Sequence, residues 1–358
     1  KSFIDMKESF IYLKEEKKVV LGIIASYALC NIFLVPILSI VAPYFINIFL
    51  GLSSEVYGIV EGICVLGMIL GGFWISVKPN MFSIKKVHYT YFPMIIGVII
   101  MSILGFIKLN TYALAGIFAI SGLAIMLSLA LSNVLTLTFI QKQVPSNMLG
   151  WFTSMKWIVA SLGMLFFTLL FGQVADYSPE ASTFAFLFLF VAVSHVIAIF
   201  VMSTVTDRIP QSTKTRQSDM GEQERINYRS PVLWYYNWFY LTWAGGRTAL
   251  MTFSTAYMLD LGFSMTKITL IIGLQVAINL GMLLIMGRIT DRFGARLPLI
   301  LISGGIAVSM LLWVASAWWG LVALIVYQVI NGAAGNTHSM LAINYGLEIF
   351  PAKGRAAY

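Results

Sequence analysis

The sequence predicts an all-α polytopic membrane protein, and three observations carry that prediction. Of its 358 residues 59% are hydrophobic and only 11% charged, with a mean hydropathy of +0.86, whereas soluble chains carry roughly 25% charged residues. Ten apolar runs reach the roughly 20 residues that a helix needs to cross the hydrocarbon core. The basic residues fall in the gaps between those runs and favour alternate gaps. Such a composition excludes a soluble globular domain and a disordered chain. The two cysteines, Cys30 and Cys64, lie inside apolar runs and frame no disulfide scaffold. The formal charge of +8 is spread over short gaps. The anionic partner it implies is therefore the lipid bilayer, and not nucleic acid.

The runs lie at approximately 19–49, 54–77, 88–107, 111–140, 147–174, 182–203, 232–258, 266–286, 297–317 and 319–349. The first contains Pro36 and Pro43, so a kink is expected in it. The ninth and tenth are parted only by Trp318-Trp319-Gly320, so the boundary between them is soft. Before the first run, Phe3, Met6, Phe10 and Leu13 recur at helical spacing among Lys and Glu. Residues 1–18 therefore read as an amphipathic helix on the membrane surface. Residues 204–231 carry both charge signs without apolar periodicity and read as a polar linker joining six spans (19–203) to four (232–358).

Orientation follows from Lys and Arg. With the N-terminus in the cytoplasm, nineteen of the 23 basic residues fall inside, among them Lys78, Lys85, Lys86, Lys142, Arg208, Arg288, Arg292 and Arg296. Only Lys108 and Lys267 fall outside, and Lys156 and Arg247 lie within spans. A missed span would scramble this alternation. The expected location is the plasma membrane (the inner membrane of a Gram-negative cell), with a cytoplasmic N-terminus.

The most specific motif is Gly287-Arg288-Ile289-Thr290-Asp291-Arg292-Phe293-Gly294-Ala295-Arg296, between the eighth and ninth spans. Its glycines permit a short turn, and Asp291 can pair with an arginine or accept hydrogen bonds from a helix N-terminus. Such a cluster can latch in one conformation and release in another. The plain alternative is an ordinary positive-inside loop.

At these residues the chain resembles the major facilitator superfamily, whose signature between the second and third helices of each half reads Gly-x-x-x-Asp-Arg-x-Gly-Arg-basic. The resemblance places Gly287, Asp291, Arg292, Gly294 and Arg296 on that signature as a conformational latch, with Ala295 departing from it. The matching first-half loop, Gly71-Gly72 to Lys85-Lys86, has no Asp. Pro145, Gly150 and Trp151 after the fourth span, and Pro351, Gly354 and Arg355 after the tenth, repeat a pattern expected of two six-helix units. The opening Asp5 to Leu13 and the stretch Asn133 to Asp176 resemble the drug- and macrolide-efflux branch. That branch implies a multidrug antiporter acting as a monomer, exporting a small-molecule substrate against protons or another coupling ion. In that branch both segments belong to the second half, so residues 1–203 are either the first half of one carrier or the second half of another. The simpler reading is spans one to ten of one carrier. The chain starts without Met and stops where an eleventh helix is expected, so it reads as a fragment.

Ionisable residues at membrane depth are functional candidates, because a charge there costs about 2.5 to 3.5 kcal/mol even on the lower scales. Arg247, in Gly245-Gly246-Arg247 midway along the seventh span, is the candidate contact for an anionic or acceptor-rich substrate; a structural pair is the alternative. Glu61 is the one acid well inside a span and the candidate proton carrier, against a vestibule role or pairing with Lys156. His338 can shuttle protons and joins Asn31, Asn133, Asn237, Asn331 and Asn336 as a candidate for lining the substrate cavity, although many such groups merely bridge helices. Among the aromatics from Trp234 to Trp243, only Tyr240 and Trp243 lie deep enough to stack on a substrate. The sequence has no Walker loop, no helical His-Glu-x-x-His and no Cys/His metal spacing. The expectation is a carrier with no cofactor, metal or catalytic residue. Uptake of a sugar or organic anion with protons is the second reading, and a non-transporting sensor or assembly factor comes from another class.

Overall fold

The structure is a computed structural model describing residues 18–78, 84–143, 146–208 and 230–349. The predicted surface helix before Lys18, most of the 204–231 linker and the Pro351–Arg355 pattern lie outside the described residues. Helices account for nearly all of the described chain: α1 (Lys18–Phe49), α2 (Ser54–Val77), α3 (Ile84–Phe106), α4 (Thr111–Gln143), α5 (Ser146–Tyr177), α6 (Ala181–Thr206), α7 (Pro231–Asp260) and α8 (Met265–Phe293). The helical stretch Arg296–Ile349 breaks at Gly320, whose φ of 57° and ψ of −134° reverse the chain within one residue. It therefore forms two antiparallel legs, α9 (296–319) and α10 (321–349). Ile330 of α10 packs beside Gly305 of α9, as a hairpin requires.

Among the described residues, eight helices are long and apolar enough to cross a membrane by length and composition, and one of them, Arg296–Gly346, holds both legs of that hairpin. The polar groups of α7, a 30-residue helix, keep it off that list. With α7 and the split hairpin the ten predicted spans are all present. The protein is a multi-pass membrane protein.

Pro36 and Pro43 leave α1 continuous but locally unwound. Each is followed by a π-helical turn, Ile37–Val41 and Phe45–Phe49. A proline removes one amide donor and crowds the carbonyl four residues back, and a wider turn relieves that clash. Phe45, set by the second of these turns, meets Phe118 of α4 at 5.6 Å and Phe184 and Phe188 of α6 at 5.2 and 6.0 Å between ring centroids. These rings form the centre of the first six helices.

Lipid is as apolar as leucine, so helices inside a membrane associate through close packing rather than through the hydrophobic effect. Gly67 and Gly71 of α2 show the means. A Cβ on Gly67 would collide with the carbonyl oxygen of Leu123 in α4, and one on Gly71 would lie 2.8 Å from that of Leu127. The two backbones are in direct contact there. Large apolar side chains such as Ile120, Phe186, Phe200, Leu301 and Leu311 are exposed, as lipid-facing positions should be.

Candidate functional site

The helix ends alternate between a basic end, with Lys18, Lys78, Arg208 and Arg296, and an opposite end, with Asp176, Asp260 and Gly320. Between these ends, α7, α8 and α10 build a polar cluster. α7 places Tyr236, Tyr240, Trp243 and Arg247 on one face, because steps of three and four residues return to the same side of a helix. Trp243 stacks on His338 of α10 at 4.0 Å and 12°, and Phe239 stacks on the same histidine at 5.4 Å and 28°. The Nε2 of His338 lies 3.2 Å from the Ser303 hydroxyl of α9. The Arg247 guanidinium lies 5.6 Å from the Trp243 ring centre and beside Gly335 of α10, where a Cβ would sit 3.1 Å from Nη2. Gly335 is thus what leaves room for the cation.

Asn336 donates to Asn279 Oδ1 at 3.1 Å, and Asn279 donates to the carbonyl oxygen of Gly332 at 2.9 Å. These amides satisfy one another and tie α8 to α10. The nitrogens left over are Arg247 Nε, Trp243 Nε1 and His338 Nδ1, each buried without a hydrogen-bond partner. Among the described residues no carboxylate is paired with Arg247.

The structure therefore brings together Arg247, Asn336, His338, Trp243 and Asn279, all polar or aromatic candidates on the sequence, and adds Gly335. Asn331 lies further along α10, buried, and donates to the Tyr327 hydroxyl at 3.3 Å. Asn237 is exposed on another face of α7. Asn31 donates to its own helix backbone at Tyr27, and Asn133 in α4 keeps a buried Oδ1 without a partner. Glu61 in α2 is half-buried, with the Tyr57 hydroxyl 3.4 Å from its Oε2. The Lys156 side chain, its suggested partner, lies outside the described residues.

Around the predicted latch, α8 ends at Phe293 and α9 starts at Arg296, so the turn is only Gly294-Ala295. Gly294 has φ 74°, which an L-residue adopts at a cost. The Asp291 side chain lies outside the described residues, and Arg292 rests over its neighbour Phe293. Ala295 is fully buried, so the longer residue of the family signature has no room there in this conformation. The group that engages the turn is one the sequence reading missed. Glu348, at the end of α10, accepts a hydrogen bond from the Ala295 amide at 3.0 Å. An acid placed just before Pro351 was the available signal. Glu348 is exposed, so screening limits the bond to about 1 kcal/mol. Glu348→Ala should accordingly raise hydrogen exchange at the Ala295 amide roughly fivefold, read by mass spectrometry, while leaving the α1–α6 peptides unchanged. An equal rise in both regions would mean global loosening instead.

A second linkage, also unanticipated, lies at the opposite end. The Asp176 carboxylate, closing α5, accepts from the Met265 and Thr266 amides at 3.3 Å each and from the Thr266 hydroxyl at 2.8 Å. It caps the N-terminus of α8, where the helix dipole favours an anion. Nearby, Ser54 of α2 donates to Asp260 of α7 at 3.4 Å, and Thr255 donates to the Ser39 carbonyl oxygen at 3.1 Å. The first six helices are thereby bonded to α7 and α8 at this end. At the basic end, a cavity of about 260 Å³ opens among Phe239, Arg296, Leu299, Ile300, Ser303 and Tyr345.

The sequence profile of the Major Facilitator Superfamily matches residues 158–358. The chain belongs to that superfamily. Among solved structures it is similar in fold to a D-xylose–proton symporter, at 17% identity and a TM-score of 0.68 over 94% of this chain and 84% of that one. It is similar to the nucleoside transporter NupG, at 15% and 0.61 over 95% and 85%. A bacterial homologue of the iron transporter ferroportin, in an outward-facing state, matches at 17% and 0.65 over 94% and 86%. No curated protein sequence matches the chain. The fold is that of a secondary transporter.

Proposed function

We propose that the protein is a proton-coupled secondary carrier that exports a small molecule by alternating access, in the manner of the drug- and macrolide-efflux branch. The observation that carries this reading is the placement of two charged residues within the spans: the acid Glu61 in α2, hydrogen-bonded by Tyr57, and the cation Arg247 in α7, beside Gly335 of α10. One offers a group that can take up and release a proton, and the other a group that can hold substrate. Helices 19–203 and 232–349 act as the two moving units. The Asp176 and Asp260 contacts close one end, and the 287–296 turn belongs to the mechanism at the other.

Uptake with protons is the second reading, favoured by the fold shared with a D-xylose–proton symporter. Reconstitution in proteoliposomes with an internal pH dye tests both. Under an imposed pH gradient, substrate addition should move protons, and Glu61→Gln should abolish that movement. The sign of the proton flux relative to the substrate separates export by antiport from uptake by symport. Proton movement that survives Glu61→Gln removes Glu61 from the mechanism, and binding without any flux removes the carrier reading.

A further inference from the structure

The carrier reading leaves the substrate class open, and the α7 face narrows it. Arg247 stands in a membrane-spanning segment with no acid paired to it among the described residues. Its immediate neighbours on α8 and α10 are amides already bonded to one another and to Gly332. Among the described residues Arg247 Nε, Trp243 Nε1 and His338 Nδ1 are buried without a hydrogen-bond partner, as are the oxygens of Gln328 and Thr337 on α10. An anion needs a cation and a donor, and finds them in Arg247 and the Trp243 indole N–H. Among the described residues Arg247 is the one fixed positive charge here, which matches a single negative charge better than a phosphomonoester dianion. A planar guanidinium holds a carboxylate through two parallel hydrogen bonds.

The aromatic residues define the rest of the ligand. Tyr236, Tyr240 and Trp243 form a continuous ladder, with centroid spacings of 6.4 and 5.4 Å, that ends on Arg247. From Tyr236 to Arg247 it rises about 16 Å along the helix axis. Its lower rung is anchored at the basic end by the bond from the Tyr236 hydroxyl to the carbonyl oxygen of Ala342 at 2.9 Å. Tyr240 keeps 38% of its surface exposed, so its ring is the uncovered rung of the ladder, and ring faces bind flat apolar groups well. A cationic amphiphile would meet the same rings but be repelled by Arg247.

We propose, resting on the carrier reading, that the substrate is an organic monoacid: its carboxylate pairs with Arg247 while an apolar or aromatic body lies on Trp243 and Tyr240.

Calorimetric titration of the purified full chain tests this with benzoate, its neutral analogue benzamide, and acetate, which has the charge without the ring. Benzoate should bind at least tenfold more tightly than either. Arg247→Gln should remove the preference for benzoate over benzamide. Trp243→Leu should remove the preference for benzoate over acetate and leave the acid preference in place. Because Arg247→Gln could also disturb packing, Arg247→Lys serves as the second variant: it keeps the charge without the fork and should fall between wild type and Gln. The proposal is overturned if folded wild-type protein binds benzamide as tightly as benzoate, if no benzoate binding is measurable at millimolar concentration, or if Arg247→Gln keeps the discrimination. Carboxylate binding without flux in proteoliposomes would sink the carrier reading and spare this one. Flux of neutral compounds without acid preference would do the reverse.

Discussion

Gly67→Val should yield little or no folded protein. A side chain at Gly67 would collide with the carbonyl oxygen of Leu123 and lie 2.9 Å from the backbone nitrogen of Leu127. Both obstacles are backbone atoms, so no rotamer change relieves them, and α2 must move away from α4 along its length. Ordinary overpacking costs about 1 to 3 kcal/mol, and separating two packed helices costs more. Gly62→Val is the internal control, on the same helix, where a Cβ meets nothing within 4 Å. In fluorescence-detected size exclusion, Gly62→Val should give a monodisperse peak like wild type, and Gly67→Val a small or aggregated one. Comparable peaks and thermal midpoints for the two variants would mean that α2 and α4 do not pack as described.

Asp176→Ala should shift the protein toward a conformation open at the Asp176 end. The carboxylate makes three hydrogen bonds to the first turn of α8, and a charged acceptor is worth about 1.5 to 3 kcal/mol. Losing even the lower figure changes a two-state ratio about tenfold. Spin labels at Glu180→Cys and Lys267→Cys, exposed positions flanking the link, should report a longer distance component in Asp176→Ala than in the wild-type background. The variant should remain folded, because the buried faces of α5 and α8 are untouched. An unchanged distance distribution would reduce Asp176 to a helix cap with no part in gating.

How much of this was legible in the sequence follows from the range of each interaction. The spans could be read almost to the residue: 54–77 was expected and Ser54–Val77 observed. Membrane thickness imposes a local rule on helix length. The turn at Gly294 was legible for the same reason, whereas at Gly320 the sequence left a soft boundary, because flanking tryptophans suit a helix as well as a turn. Arg247 stood out because charge is costly at membrane depth wherever its partners lie. The partners themselves were hidden. Trp243 and His338, Asp176 and Thr266, and Ala295 and Glu348 are each more than fifty residues apart, and no periodicity links them. Asn237 shows the limit from the other side: a polar residue within a span can face the interior or away from it, and residue type alone does not say which. The contact of Gly67 and Gly71 with α4 was not anticipated, because a glycine spacing names no partner helix.

The one-residue reversal at Gly320 has a mechanical consequence. α9 and α10 are joined by the chain at that end and by the Ala295–Glu348 hydrogen bond at the other, so the pair is closed like a frame held at both ends. Neither leg can slide along the other without breaking its fastening. Whatever breaks or re-forms the bond at the 294–296 corner therefore opens or closes the frame on the leg that carries His338 and Asn336, so an event at the membrane surface bears on the walls around Arg247.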